Sequence, residues 1–128
     1  MRSVLVVEDE ESNSELVAAI LEQLDVEVVS VRSAEEATSL LSWRRPALVL
    51  MDIRLPGQDG LTLTRRLKAD PATSSIPVVA LTAHAGPEDQ RAALDAGCSA
   101  WISKPVDTRL LVRTLAQLLG ESAQPTSL

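Results

Sequence analysis

The chain has 128 residues, 45% of them hydrophobic, which is room for one domain around a single core and for no second folded unit. Its formal net charge is −6, and its lysines and arginines are scattered, so no basic stripe is available to neutralise nucleic-acid phosphates or anionic lipid. Cys98 is the only cysteine, which excludes an internal disulfide and fits a small buried hydrophobe in a reducing compartment.

The first apolar run, residues 4–7, reaches Glu8 and Asp9 too soon for a signal peptide, and no segment approaches the ~20 apolar residues of a membrane span. A cytoplasmic protein is expected. After that run, Leu16, Val17, Ile20, Leu21 and Leu24 recur at helical spacing and form one apolar stripe. A second run, residues 26–31, carries Glu27 and Ser30 and reads as an edge strand. Ser33 and Glu36 form a capping-box pair ahead of a helix that turns Ala37, Leu40 and Leu41 inward, with Trp43 packing at its rim. Residues 47–51 and 77–81 are nearly all apolar, as strands covered on both faces must be.

Between those two strands a helix starts near Asp59, points Leu63 and Leu67 inward and stops before Asp70-Pro71. Gly57 and Gly60 read as turn glycines. Pro87 suits the first turn of a fourth helix and Gly97 its exit, and Leu94 is the only large apolar residue between them. So little apolar area predicts a weakly held helix. A fifth run, residues 100–102, precedes a helix capped by Asp107, with Leu111, Val112, Leu115, Leu118 and Leu119 on one arc and Gly120 at its end. The order is (βα)5, an α/β fold with a parallel sheet, over residues 1–120; residues 121–128 read as a flexible tail with no output domain.

In open parallel sheets, reactive groups gather beyond the carboxyl ends of the strands. Glu8 and Asp9 stand there after the first strand, Asp52 after the third, Thr82 after the fourth and Lys104 after the fifth. Three carboxylates in one crevice repel unless a hard divalent cation, a shared proton or an ammonium compensates, and Mg²⁺ together with Lys104 meets that need. A carboxylate can also act as a nucleophile toward phosphorus, with a metal and an ammonium neutralising the phosphoryl group and the Thr82 hydroxyl reaching one of its oxygens. Neither a Walker pattern nor a dinucleotide fingerprint is present.

Glu8-Asp9, the stretch from Met51 to Gly60, Leu81-Thr82-Ala83 and Ser103-Lys104-Pro105 together resemble the receiver domains of two-component response regulators. The resemblance runs from about Val4 to Leu119 and implies the flavodoxin-like doubly wound sheet with strand order 2-1-3-4-5. It also implies that Asp52 is the phosphoacceptor, that Asp9, Asp52 and the Arg54 carbonyl bind Mg²⁺ directly with Glu8 acting through water, and that Lys104 pairs with the phosphoryl group. Thr82 would be the switch hydroxyl and Trp101 the switch aromatic, in place of the family's usual tyrosine or phenylalanine. An indole is larger, and its N–H needs a partner when buried. Arg54, Ala83 and His84 occupy positions that tune acyl-phosphate lifetime, and Pro105 in this family commonly follows a cis bond.

The expected role is a single-domain response regulator, a phosphoacceptor that phosphorylates and dephosphorylates itself rather than a turnover enzyme. Its phosphoryl donor would be a sensor histidine kinase or a histidine phosphotransfer protein. Output would pass to a downstream protein through the face formed by the fourth helix, fifth strand and fifth helix, or through a homodimer, with no direct nucleic-acid or membrane contact. Alternatives are the receiver segment of a hybrid kinase and a pseudo-receiver that docks partners without phosphorylation. An aspartyl-phosphate phosphohydrolase would need its nucleophile after the first strand in an Asp-x-Asp pattern, which Asp9-Glu10-Glu11 lacks, and a flavin carrier would need a phosphate loop where these acids stand.

Overall fold

The structure is a computed structural model that describes residues 2–55, 59–83 and 86–120. Five strands, β1 (Ser3–Val7), β2 (Glu27–Val31), β3 (Leu48–Asp52), β4 (Val78–Thr82) and β5 (Ala100–Ser103), alternate with five helices. The helices are α1 (Glu11–Leu21), α2 (Ala34–Leu41), α3 (Gly60–Ala69), α4 (Pro87–Ala96) and α5 (Thr108–Leu119). The strands form one parallel sheet in the order β2-β1-β3-β4-β5. This is the parallel (βα)5 sheet that the alternation of apolar runs and helical stripes predicts, in the doubly wound order that the resemblance implies.

Because successive strand side chains point to opposite faces, each inner strand feeds two cores. Val4, Val6, Leu48, Leu50, Val79 and Leu81 pack with Val17, Ile20 and Leu21 of α1 and Leu111, Leu115 and Leu119 of α5. Leu5, Val7, Val49, Met51, Val78 and Ala80 face the other way, onto α2, α3 and α4. Every residue of β1, β3 and β4 is buried, whereas β2 at the edge exposes Glu27 and Ser30 and half-buries its three valines.

Helix ends follow the expected chemistry at five places. The Ser33 hydroxyl accepts from the Glu36 amide, and Glu36 reaches back one residue further than a capping box requires, to the amide of Arg32 at 2.8 Å. The Asp59 and Asp107 carboxylates accept from the amides of Thr62 and Leu110. Gly97 and Gly120 end α4 and α5 in the left-handed region, at φ +113° and +74°.

Four details differ from the sequence reading. Leu16 turns outward and is 49% exposed, because the stripe of α1 that meets the sheet is Val17, Ile20 and Leu21. Trp43 does not pack at a rim but stands 70% exposed in the turn after α2. Val26 lies before β2 rather than within it. Gly60 is not a turn glycine but the first residue of α3, set directly on the end of β3.

A methyl group built on Gly60 would lie 2.6 Å from the main-chain oxygen of Asp52 and 3.0 Å from the Cα of Ile53. The same glycine donates its amide to the Ile53 carbonyl at 2.8 Å and accepts the Thr64 hydroxyl at 2.8 Å. Absence of a side chain thus lets α3 dock on the backbone that carries Asp52.

Helix α4 buries only Ala93 and Ala96, and Leu94, its one large apolar residue, is itself 49% exposed. Its far end is better secured. The Lys68 stem runs across Gly97, where an added Cβ would sit 2.6 Å from Lys68 Cγ, and the ammonium donates to the Ser74 and Ile76 carbonyls at 3.1 and 2.6 Å. Cys98 beside it is buried, and burial pushes its thiol pKa up, which disfavours the reactive thiolate. The readings of His84, Gly57 and the 121–128 tail fall outside the described residues.

Leu115→Ala, at a fully buried site, is expected to cost about 2–5 kcal/mol in urea unfolding, whereas Leu94→Ala stays within about 0.5 kcal/mol. Gly60→Ala tests the close approach. An unobstructed helical Gly→Ala change stabilises by roughly 1 kcal/mol. Here the backbone collision is expected to reverse that sign, with a net loss of about 1–3 kcal/mol in the same assay.

Candidate functional site

The carboxyl ends of β1, β3, β4 and β5 converge on one crevice. Glu8 follows β1, its amide held by the Val31 carbonyl at 3.0 Å, so its side chain turns in and is only 1% exposed. Asp52 closes β3 and is 6% exposed, and Thr82 closes β4 and is buried. Lys104 leaves β5 with its amide on the Thr82 carbonyl at 2.8 Å, and its peptide bond to Pro105 is cis.

The Lys104 ammonium lies between two carboxylates, 3.0 Å from Glu8 Oε1 and 3.0 Å from Asp52 Oδ2. The remaining oxygens also have donors: the Glu10 amide reaches Glu8 Oε2 at 3.3 Å, and the Arg54 amide reaches Asp52 Oδ1 at 2.9 Å. Carboxylate oxygens of Glu8, Asp9 and Asp52 all lie within 4.8 Å of one another. Among the described residues no other group of histidine, cysteine or acidic side chains gathers in this way.

Charge sets the protonation balance. Burial raises the Glu8 pKa, and the Lys104 hydrogen bond opposes this while the Asp52 charge adds to it; the net position is above the ordinary glutamate range. Burial by itself would lower the Lys104 pKa, but the hydrogen bonds and charges of Asp52 and Glu8 outweigh it and leave the ammonium firmer than in water. Three carboxylates against one ammonium leave the crevice two charges from neutrality. A divalent cation that prefers oxygen ligands fits both the charge and the donor set.

The remaining residues of the sequence reading take distinct places. Arg54 is exposed and lines a cleft of about 390 Å³ with Thr82, Asp59 and Asp89, bounded by the start of α3 and by α4. Ala83 is exposed immediately after Thr82. Trp101 is half-buried in β5, opposite Ala80 in the sheet register, and packs on the α2, α3 and α4 side of the core. Its strand pairs with β4, which ends in Thr82, so the two residues lie on adjoining strands.

Two residues at this site escape sequence reasoning. Gly60 fixes the backbone under Asp52 by having no side chain. Arg32, at the end of β2, donates from Nη2 to the Asp9 carbonyl at 3.2 Å and so braces the loop that carries two of the acids. Neither shows in the sequence, because both act on backbone atoms of a segment distant along the chain; an arginine directly after an edge strand was the one available signal for the second.

Residues 4–116 match the family described as response regulator receiver domain. The polar-differentiation response regulator DivK of Brucella anthropi is 39% identical over 121 residues, covering 94% of this chain and 98% of that protein. The signal receiver domain of a signal transduction histidine kinase from Syntrophus aciditrophicus superposes with a TM-score of 0.87 at 33% identity, covering 100% of this chain and 97% of that one. The receiver domain of a sensor histidine kinase from Pseudomonas aeruginosa PAO1, solved with a magnesium ion coordinated in its active-site cleft, superposes with a TM-score of 0.85 at 33% identity over 93% of this chain and 98% of its own. No helix among the described residues is long and apolar enough to cross a membrane. An acidic crevice at the carboxyl edge of a 2-1-3-4-5 sheet, a family match over nearly the whole length and relatives of the same extent converge, and the chain belongs to the response regulator receiver domains.

Proposed function

We propose that Asp52 accepts a phosphoryl group from a phosphohistidine of a sensor kinase or phosphotransfer protein, and that the modified domain signals by binding another protein. The observation that carries this reading is the Lys104 ammonium held 3.0 Å from Asp52 in a crevice that also contains Glu8 and Asp9. In the transfer, an Asp52 carboxylate oxygen attacks phosphorus, the P–N bond to the donor imidazole breaks, and that imidazole leaves as the new P–O bond forms. Lys104 neutralises charge on the phosphoryl oxygens, and the amide of Arg54 orients the nucleophilic carboxylate.

Mg²⁺ is the cofactor that these oxygen donors fit. Asp9, Asp52 and the Arg54 carbonyl would hold it, with Glu8 acting through water, and it would supply further charge neutralisation at the phosphoryl group. Water reaches the crevice past the small Ala83, and Arg54 and His84, at the positions that the family uses for tuning, set how long the acyl phosphate lasts. The domain is a phosphoacceptor, not a turnover enzyme.

Transmission runs from the Thr82 hydroxyl, drawn to the phosphoryl group, to Trp101 and α4. The output surface is the face of α4, β5 and α5, where Leu94 and Leu110 stand 49% and 42% exposed. A cytoplasmic location accords with this role.

Incubation with Mg²⁺ and acetyl phosphate is expected to add one phosphoryl mass to the wild type, and none to Asp52→Asn or to the wild type in chelator. Intact-protein mass spectrometry reads the result; an adduct on the Asn variant would overturn the assignment.

A pH test addresses the crevice without any donor. Because the folded Glu8 pKa is raised, its contribution to stability is present at low pH and lost as pH rises through that value. Metal-free Glu8→Gln is therefore expected to exceed the wild type in stability near neutrality. The gap should close as pH falls toward the ordinary glutamate range in urea titrations, and should also narrow when Mg²⁺ is added at neutral pH.

A further inference from the structure

The loop that carries Glu8 and Asp9 is held from outside rather than by its own helix. Helices α2, α3 and α5 each start on a side-chain cap, whereas Glu10, the residue that opens α1, makes none. The neighbouring strand supplies the ties. Val7 pairs with Val31 in the sheet register, which brings the end of β2 alongside the loop. There the Val31 carbonyl accepts the Glu8 amide at 3.0 Å, the Ser14 and Ser30 hydroxyls meet at 3.3 Å, and Arg32 Nη2 donates to the Asp9 carbonyl at 3.2 Å.

Of these ties only the last reaches Asp9, and among the described residues it is the one hydrogen bond that Asp9 makes. Arg32 is itself anchored, since its amide donates to Glu36 Oε1 at 2.8 Å at the capped start of α2. Its side chain thus reaches from a fixed backbone on one element to a loop on another. The surroundings are acidic: Glu8, Glu11 and Glu15 line the same cleft of about 330 Å³, and among its described lining residues Arg32 is the one cation. A cation this close to the acids repels any metal they hold. Loss of a purely electrostatic Arg32 would therefore strengthen metal binding, and loss of a brace would weaken it.

From the guanidinium-to-carbonyl bond, the uncapped start of α1 and the anchored Arg32 backbone, we propose that Arg32 is a positioning residue for the metal site. It holds the Asp9 main chain so that the Asp9 carboxylate stays within reach of Glu8 and Asp52, and thereby sets the affinity of the crevice for Mg²⁺. The inference rests on the Mg²⁺ reading of the site. Groups that orient metal ligands from behind commonly change metal affinity 10- to 100-fold when removed. Arg32 is exposed and acts through one main-chain bond, so its effect belongs at or below the lower end of that range.

The test is a Mg²⁺ titration of the unphosphorylated protein, followed by NMR at the amides of Asp9, Asp52 and Arg54. Arg32→Ala is expected to bind Mg²⁺ about five- to tenfold more weakly than the wild type. Arg32→Lys should recover most of that loss, because the contact is a single bond to a carbonyl, which an ammonium can also make, rather than a bidentate pair. In the metal-free protein, the Glu8 and Glu10 amides of Arg32→Ala should exchange with solvent faster, while those of β3 and α5 keep the wild-type rate. Unchanged or tighter Mg²⁺ binding by Arg32→Ala, the sign of a charge effect alone, would overturn the inference. So would faster exchange throughout the domain, the sign of general destabilisation, or a lysine variant as weak as the alanine one. A wild type that binds no Mg²⁺ at these amides would instead overturn the metal reading of the site, and this inference with it.

Discussion

A single ammonium group placed between two buried carboxylates fixes the geometry on which the rest of this domain depends. Lys104 links the end of β5 to the ends of β1 and β3, so three strands that are not all neighbours in the sheet are tied at their functional edge. Buried ion pairs of this kind contribute little net stability, since desolvation offsets most of the attraction. Their value here lies in position: with one donor satisfying Glu8 Oε1 and Asp52 Oδ2, the carboxylates cannot swing apart, and a third acid is held within reach of both. The surplus negative charge stays in the crevice and makes a divalent cation and an incoming phosphoryl group its natural complements.

That arrangement needs a stiff floor. The interiors of β1, β3 and β4 are apolar because helices cover both faces, and the alternating side chains commit each strand to both cores at once. A slip of one residue in register would turn Asp52 or Glu8 out of the crevice and simultaneously exchange the two cores. Folding and site assembly are therefore specified by one pattern.

Much of this was legible in the sequence, for reasons specific to particular residues. Unbroken apolar runs marked the inner strands, Glu27 and Ser30 marked the edge, and Ser33, Asp59, Asp107, Gly97 and Gly120 marked helix ends through capping chemistry that acts over three or four residues. The acids and the lysine were legible because strand ends predict where they converge. Leu16 and Trp43 were misread because a helical stripe gives the apolar arc only to within about one residue's width, and because an aromatic near a helix end has no local signature of burial. Gly60 and Arg32 stayed hidden because their partners are backbone oxygens elsewhere in the chain.

The two ends of α4 are fastened unequally. At its C-terminus Gly97 turns back beneath the Lys68 stem, whose ammonium is anchored on the chain leading into β4, while at its N-terminus Gly86 offers no side-chain cap and the buried residues are two alanines in the last turn. A rod pinned at one end moves as a lever. On the proposed switch, a push delivered near Thr82 would act on the end of α4 that has no side-chain cap, far from the Gly97–Lys68 clasp, and would turn the helix rather than slide it. The direction in which Leu94 and its neighbours would sweep is then set by Gly97 and Lys68, two residues with no part in the chemistry.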